Sequence, residues 1–264
     1  MTAHFSSSAL GFVHIVGAGP GPLDLMTLRA LDRLRHADVV VHDRLVSTEV
    51  LDQIPPQAQR FYVGKALGNH AVPQEGIHAL LVAHARRGSR VVRLKGGDPY
   101  VFGRGGEEVQ ALQAEGIAFE VVPGVTAASG CSAAVGIPLT HRNLALSCVF
   151  LPGHLAQDDA THDWRSLAQP GQTRVFYMGV QRLAQIAERL FSHGLAVDTP
   201  AAIVRDGTRP TQTVIACSLL RLVEMAPSYG PQPGLLIIGE TVRMSPHYRA
   251  DWHADCNAIS DLYS

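Results

Sequence analysis

Cysteine is scarce in this chain of 264 residues and never occurs at metal-ligand spacing. Cys131, Cys148, Cys217 and Cys256 lie far apart, and no two of them form a C-x-x-C pair. This spacing argues against a zinc ribbon, an iron–sulfur site and a disulfide framework. We therefore expect a protein of the reducing cytoplasm.

The chain has a net charge close to zero and lacks an apolar run typical of a membrane span. With 22 basic and 23 acidic side chains, it has no overall field that attracts nucleic acid or an anionic membrane surface. Residues 121–140 carry no charge, but their prolines and glycines predict a buried loop and helix rather than a bilayer span. We expect no nucleic-acid or membrane partner, so local clusters of charge must bind any anionic ligand.

Three catalytic motifs are missing. The sequence contains no G-x-x-x-x-G-K-[ST], no H-E-x-x-H and no G-x-S-x-G. P-loop phosphoryl transfer, zincin chemistry and a nucleophile-elbow hydrolase therefore lack support. Among the reaction classes considered, group transfer without a metal is the one that these absences leave open.

Short apolar runs alternate with stretches of helical spacing along the chain, which predicts an α/β fold. In the first half we predict buried parallel strands at 12–16, 37–41, 60–63, 90–94 and 119–122, and helices at 23–35, from 73 onward and at 107–114. In the second half we predict strands at 146–151, 174–178, 201–204, 213–216 and 235–238, and helices at 181–192 and 218–225. The expected organisation is a flexible tail at 1–11, an α/β domain at 12–125, a second α/β domain at 126–244 and a tail at 245–264.

A glycine-rich segment, GAGPG at 17–21, follows the first strand and opens the first predicted helix. Bare backbone there lets a nucleotide-like ligand approach closely. A dinucleotide-binding fingerprint is the rival interpretation, because Asp43 ends the next strand where a ribose-binding acid is expected. Pro20 and Pro22 disfavour it, and a tight turn without a ligand is a third possibility.

Two further glycine motifs follow the strand at 90–94. KGGDP at 95–99 places the carboxylate of Asp98 at the carboxyl edge of a sheet, where α/β proteins bind ligands, although a purely structural turn is an alternative. GRGGEE at 103–108 places Glu107 and Glu108 in the first turn of a helix. For at least one of these two carboxylates we expect simple complementation of the helix dipole.

Several cations occur in glycine- or proline-containing loops rather than on helix faces. A near-neutral chain that gathers cations in loops is typical of a protein that binds a small polyanion, although each cation taken singly could be a solvated surface charge. These residues are Lys65, Lys95, Arg104, Arg142, His70, His141 and His154.

Taken together, the motifs resemble those of the uroporphyrinogen-III C-methyltransferases, a branch of the tetrapyrrole methylase superfamily. The resemblance runs from about Val13 to Val242, and its motifs occur in the expected order. They are VGAGPG at 16–21, DRLV at 43–46, VGK at 63–65, VPQE at 72–75, VRLKGGDP at 92–99, FGRGGEE at 102–108, VPGVTAASG at 122–130 and GIPLTHR at 136–142.

The resemblance implies a homodimer of two-domain chains, with S-adenosyl-L-methionine held in the cleft between the domains and S-adenosyl-L-homocysteine as its product. It implies C-methylation of uroporphyrinogen III at C2 and C7 to give precorrin-2, for sirohaem- or cobalamin-type biosynthesis. The family's cofactor contacts fall here on Pro20, Gly96, Gly97, Asp98, Val101, Thr126, Ala127, Met178 and Gly207.

The resemblance also implies roles in proton transfer. The family's proton acceptor falls on Asp43 and its proton donor on Lys65, although Lys65 could equally bind a substrate carboxylate. Because the substrate carries eight carboxylates, we expect Arg104, His141 and Arg142 to bind its acetate and propionate arms.

Two residues depart from the family pattern: Pro22 replaces an acidic residue, and Tyr100 replaces a phenylalanine. Three alternatives remain: a methyltransferase for a later corrin precursor, a nicotinamide-dependent oxidoreductase, and a tetrapyrrole-binding protein without activity. The chain lacks the dehydrogenase and ferrochelatase part of fused sirohaem synthases, so we expect it to stop at the methylated product.

Overall fold

The structure, a computed structural model, describes residues 10–64, 72–153, 162–225 and 233–250. The chain divides into two compact units, the first ending at Thr126 and the second beginning at Ala127. Each unit contains one five-stranded sheet with helices packed against it. The predicted α/β class is confirmed.

The sheet of the first unit is entirely parallel, in the order β3-β2-β4-β1-β5. Its strands are β1 (Phe12–Gly17), β2 (Val39–His42), β3 (Gln59–Tyr62), β4 (Arg90–Lys95) and β5 (Ala118–Val122). Its helices are α1 (Leu28–Arg35), α2 (Thr48–Leu51), α3 (Gln74–Arg86) and α4 (Gly105–Ala114).

Both faces of this sheet are buried. On one face Leu34 of α1 packs in the same cluster as Val92 of β4. On the other, Leu81 of α3 and Leu112 of α4 pack with Val41 of β2. Burial on both faces explains why the strands read as continuous apolar runs rather than as an alternating pattern.

Two sequence predictions need correction here. The run at 60–63 was predicted as a buried strand, but β3 is the edge strand and most of its side chains are exposed. The helix predicted over 23–35 is interrupted: Leu23–Leu25 is a 3-10 turn, and α1 begins only after Thr27, whose hydroxyl accepts from the backbone N–H of Ala30. Leu28 is 87% exposed, so it is not one of the apolar residues by which α1 packs against the sheet.

The sheet of the second unit is mixed, in the order β6-β7-β10-β8-β9, and only β6 and β7 run parallel. Its strands are β6 (Ser147–Pro152), β7 (Gln172–Tyr177), β8 (Pro200–Arg205), β9 (Thr213–Ser218) and β10 (Leu235–Ile238). Its helices are α5 (Ala127–Ala134), α6 (Trp164–Leu167), α7 (Leu183–Ser192) and α8 (Leu219–Met225).

The start of the predicted C-terminal tail is wrong for residues 245–250. Ser245 is buried, and its hydroxyl donates to the carbonyl of Val135. Tyr248 forms a bridge with Ala216 and packs against the core of the second unit. Within the described residues, no helix is long and apolar enough to cross a membrane.

Candidate cofactor and catalytic site

In the first unit, glycine backbone at the ends of β1, β4 and β5 is in direct contact. Gly97 N–H donates to Gly19 O at 2.7 Å, and Gly19 N–H donates to Gly97 O at 3.2 Å. A Cβ on Gly17 would lie 2.6 Å from Gly124 N and 2.7 Å from Gly97 O. Because backbone atoms cannot move aside as a side chain can, this edge of the sheet requires glycine.

The glycine segment does not open an α-helix, contrary to the sequence prediction. Pro22 and Leu25 belong to an intervening 3-10 turn, in which Leu25 N–H donates to the carbonyl of Pro22. The α-helix itself begins only after Thr27, and Gly19 lies against the 3-10 turn, with its Cβ position 2.8 Å from Leu25 O. What the segment offers a ligand is close backbone approach.

Asp98 holds the next turn together. Its Oδ1 accepts from Tyr100 N–H at 2.8 Å, and its Oδ2 accepts from Gly124 N–H at 3.1 Å. Each oxygen keeps a further lone pair for a ligand. Beside it, Gly96 lies against Leu45, and Val101 is half-buried.

Asp43 directly follows β2 and is partly exposed. Its Oδ1 accepts from the backbone N–H of Leu45 at 3.0 Å, and its Oδ2 lies 3.6 Å from Nη2 of Arg93. The side chain is 26% accessible to solvent, so it can meet a ligand. Lys65, the predicted proton donor, lies outside the described residues, as do His70 and His154.

A buried cluster of charges lies next to Asp43, and it corrects one prediction. Lys95, predicted as a loop cation, is buried at the end of β4, with its Nζ 3.0 Å from Oε1 of Glu108. The same oxygen accepts from Nε of Arg93 at 2.9 Å. Glu108 is fully buried and is the counter-ion of both cations, so of the two carboxylates in this turn only Glu107 is exposed.

Burial has the largest effect on the pKa of Lys95. Desolvation, reinforced by the neighbouring charge of Arg93, lowers the pKa of Lys95, while Glu108 and Asp43 oppose that shift. An ammonium group so placed is a core ion-pair partner and not a free cation for a polyanionic ligand.

The sequence analysis did not identify Arg93 and Glu108 as site residues. A signal was present, because Val91, Arg93 and Lys95 alternate along one strand and so share one face. Two cations on the buried face of a central strand require a buried counter-ion, and Glu108 supplies it.

The side chain of Arg104 is exposed to solvent and forms a bidentate ion pair with Glu107. Its Nε and Nη2 lie 2.8 Å and 2.6 Å from the two carboxylate oxygens. This contact raises the pKa of Arg104 and lowers the pKa of Glu107. Because an exposed ion pair contributes little to stability, a substrate carboxylate could replace Glu107.

In the second unit, helix α5 links the predicted cofactor contacts. The N–H of Ala128, next to Ala127, donates to the hydroxyl of Tyr177 at 3.0 Å, and Met178 follows Tyr177 in the chain. Gly207 packs so tightly on Cys131 of α5 that a side chain there would collide with the sulfur. Met178 has a φ of 58° and is 49% exposed.

The GIPLTHR motif lies between α5 and β6. His141 exchanges backbone hydrogen bonds with Ala145, and its Nδ1 accepts from the N–H of Asn143 at 3.3 Å. The neutral ring therefore carries its proton on Nε2. Arg142 is exposed, and no carboxylate among the described residues pairs with it.

The described thiols are not thiolate nucleophiles. Burial raises the pKa of Cys131 and Cys148 to about 11 and that of Cys217 to about 12. At neutral pH they are protonated, which disfavours covalent catalysis through sulfur. The described residues also hold no group of three or more His, Cys, Asp or Glu placed to bind a metal ion.

An open, mostly apolar cavity of about 470 Å³ lies in the second unit. None of the predicted site residues lines it, so volume alone does not locate the chemistry. Its lining residues are Ser129, Ser132, Ala133, Gly136, Ile137, Pro138 and Leu139.

Comparison with known proteins gives a consistent result. A family model described as Tetrapyrrole (Corrin/Porphyrin) Methylases matches residues 13–223. A siroheme synthase of Edwardsiella ictaluri (strain 93-146) is 51% identical over 260 residues, which are 98% of this chain and 55% of the relative. A siroheme synthase of Acinetobacter baylyi (strain ATCC 33305 / BD413 / ADP1) is 52% identical over 235 residues, 89% of this chain and 51% of the relative. The chain thus spans about half the length of these curated relatives.

Solved structures agree. A uroporphyrin-III C-methyl transferase from Thermus thermophilus, complexed with S-adenyl homocysteine, is 42% identical with a TM-score of 0.75, covering 88% of this chain and 94% of that one. A cobalt precorrin-4 methyltransferase is 26% identical with a TM-score of 0.78, covering 88% and 95%.

Proposed function

The chain belongs to the Tetrapyrrole (Corrin/Porphyrin) Methylases, and on that premise we propose that it transfers methyl groups from S-adenosylmethionine to ring carbons of a tetrapyrrole. The proposed substrate is uroporphyrinogen III, methylated at C2 and C7 to give precorrin-2. A structure 42% identical to this chain is named a uroporphyrin-III C-methyl transferase, complexed with S-adenyl homocysteine, which supports both the cofactor and the substrate.

The observation that carries the proposal is the meeting of bare backbone at Gly17, Gly19, Gly97 and Gly124. Their close packing brings the ends of β1, β4 and β5 together at the carboxyl edge of the parallel sheet, where such folds bind ligands, and the nucleoside is proposed to lie against this edge. Proposed contacts there are Pro20, Gly96, Gly97, Asp98, Val101 and Thr126. The family resemblance adds Ala127, Met178 and Gly207 as further proposed contacts.

The cofactor supplies an electrophilic methyl group on a positively charged sulfur. An electron pair of the pyrrole carbon forms the new C–C bond, the S–C bond breaks, and sulfur keeps that bond's electron pair. The pyrrole is left with a positive charge, which the loss of a proton removes. Asp43, partly exposed beside the strand ends, is the proposed acceptor of that proton. Because the pyrrole carbon is already nucleophilic, we attribute most of the acceleration to alignment.

The substrate's carboxylates need cationic partners. We propose Arg104, His141 and Arg142 for this role, because all three lie on loops or element ends and Arg142 has no carboxylate partner among the described residues. Lys95 is excluded by its burial against Glu108. Lys65 remains a proposed proton donor. A homodimer in the cytoplasm, serving sirohaem- or cobalamin-type biosynthesis, also remains a prediction.

The test is an anaerobic assay of the purified protein with S-adenosylmethionine and freshly generated uroporphyrinogen III. Mass spectrometry and the absorption spectrum of the oxidised product should show a gain of two methyl groups. Asp43→Asn should retain cofactor binding by calorimetry while keeping only a small, measurable residual turnover. No methyl gain by a protein that binds S-adenosylhomocysteine would count against uroporphyrinogen III as the substrate.

A second candidate is methylation of a later corrin precursor. It is favoured by the TM-score of 0.78 with a cobalt precorrin-4 methyltransferase, although identity is only 26%. Offering both substrates in the same assay discriminates the two. Methylation of uroporphyrinogen III alone selects the first candidate, and methylation of the corrin precursor alone selects the second.

A further inference from the structure

Arg93 and Lys95 project from one face of the central strand β4 into the interior of the first unit. Each side chain is 5% accessible, and both contact a single oxygen of Glu108, whose side chain is 0% accessible. The other oxygen, Oε2, is buried without a hydrogen-bond partner among the described residues. One carboxylate oxygen therefore fixes two cations.

The guanidinium of Arg93 connects this cluster to Asp43. While Nε contacts Glu108, Nη1 donates to the carbonyl of Leu94 at 3.0 Å, and Nη2 lies 3.6 Å from Oδ2 of Asp43. The strand register explains the geometry, since Val41 of β2 pairs with Arg93. Asp43, two residues after Val41, lies on the same face.

Asp43 is thus held from two directions. Its own turn engages Oδ1 through the N–H of Leu45, and the charge of Arg93 faces Oδ2. The planar fork of arginine reaches Glu108 and Asp43 at once, which a lysine ammonium cannot do.

Stability alone does not account for such a cluster. Replacing a buried ion pair by well-packed apolar residues is often neutral or stabilising. The surrounding cluster contains Val41, Leu81 and Leu112, so apolar side chains already fill this region. The charged arrangement provides a fixed orientation of a carboxylate at the edge of the sheet.

We propose that Arg93, anchored by Glu108, is a positioning residue that holds the carboxylate of Asp43 in the orientation needed to accept a proton from the methylated tetrapyrrole. The proposal rests on the proposed function, in which Asp43 is that acceptor. Neither Arg93 nor Glu108 contacts substrate in this role; both act through Asp43.

The test is a double-mutant cycle of Arg93→Gln and Asp43→Asn in the full chain. Arg93→Gln should lower kcat by about tenfold or more, with the affinity for S-adenosylhomocysteine within about twofold of wild type. In the Asp43→Asn background, the same substitution should change kcat by less than about twofold, because the group it positions is gone. A merely structural role would reduce activity equally in both backgrounds.

Arg90→Gln is the matched control. Arg90 lies on the same strand and pairs with Asp38 at the opposite end, with 2.7 Å between Nη2 and Oδ1. This substitution removes an arginine–aspartate pair from β4 without touching Asp43, so kcat should stay at the wild-type value.

Glu108→Gln tests the anchor. Glu108→Gln leaves Arg93 and Lys95 buried without a counter-ion, and this variant can fail to fold. In that case Glu108→Gln is combined with Lys95→Met, which removes one charge of each sign and keeps Arg93. That double variant should show the same non-additivity with Asp43→Asn. Equal loss in both backgrounds, unchanged kcat in Arg93→Gln, or full activity of Asp43→Asn would each overturn the proposal. Failure of the proposed function is distinct, because the wild-type protein itself would then gain no methyl groups on uroporphyrinogen III.

Discussion

Glu107 and Glu108 are neighbours in the first turn of α4, yet their environments differ completely. Glu107 is exposed and pairs with Arg104, which is also exposed. Glu108 is fully buried against Arg93 and Lys95. In water the first pair exchanges easily with other partners. In the interior, removal of one partner leaves an uncompensated charge and costs about 3–5 kcal/mol.

The exposed pair leads to a prediction about substrate binding. Arg104→Ala should raise KM for the tetrapyrrole by about tenfold, because one charge-assisted contact is lost, while the affinity for S-adenosylhomocysteine changes little. Steady-state kinetics and calorimetry measure the two effects. Glu107→Ala is the control, since it removes the competing carboxylate and should leave KM unchanged or lower. An equal loss of both affinities in Arg104→Ala would argue against a substrate role.

At the scale of elements, the parallel sheet of the first unit determines where polar groups collect. β1, β2 and β4 all end at one edge, and the glycine segments and Asp43 directly follow them. The glycines at that edge are required by contact between backbones, as at Gly17. Close approach of the strand ends is therefore a consequence of the missing side chains.

Gly17→Ala tests this close approach. The added Cβ would collide with backbone atoms of Gly97 and Gly124, so we expect a loss of about 2 kcal/mol or more in the free energy of unfolding. Binding of S-adenosylhomocysteine should weaken with it. Gly106→Ala is the control, because no atom lies within 4 Å of its Cβ position and Gly106 lies within α4. That substitution should stabilise by up to about 1 kcal/mol. Denaturant unfolding measures both, and equal effects would contradict the expectation.

At the scale of the whole molecule, each unit has its own sheet and its own buried clusters. Matches over most of the chain confirm the family resemblance drawn from the sequence. Three histidines, of which His84 is buried and His14 and His42 are half-buried, give the first unit a pH dependence. Desolvation lowers the pKa of each below the ordinary 6.5.

The free energy of unfolding should therefore fall as the pH drops below 6.5. The unfolded chain binds protons at these histidines more readily than the folded one, so protons favour unfolding in that range. His84, 7% exposed and 5.0 Å from the ring of Phe61, is the clearest case. His84→Leu should reduce the slope of unfolding free energy against pH between about pH 5 and pH 7. Urea titrations across that range measure the slope, and an unchanged slope would contradict the prediction.

Most strands and helices could be predicted from the sequence, because apolar periodicity and glycine or proline boundaries are local signals. The predictions failed where a distant contact decides. Most side chains of β3 are exposed because, among the described residues, no strand pairs with its outer edge. Residues 245–250 pack on the second unit because Ser245 donates to Val135 and Tyr248 forms a bridge with Ala216. Neither partner is visible in the local pattern.

The sequence by itself determined the α/β class, the family, and the residues proposed to bind cofactor and substrate, because these depend on motifs that are read in order along the chain. Only the tertiary structure decided which charges face water. It buried Lys95 and Glu108 and left Arg104 exposed, because burial depends on what packs from elsewhere in the chain. It also connected Asp43 to Arg93 through strand register, a relation between residues 50 positions apart (93 − 43 = 50) that no local pattern contains.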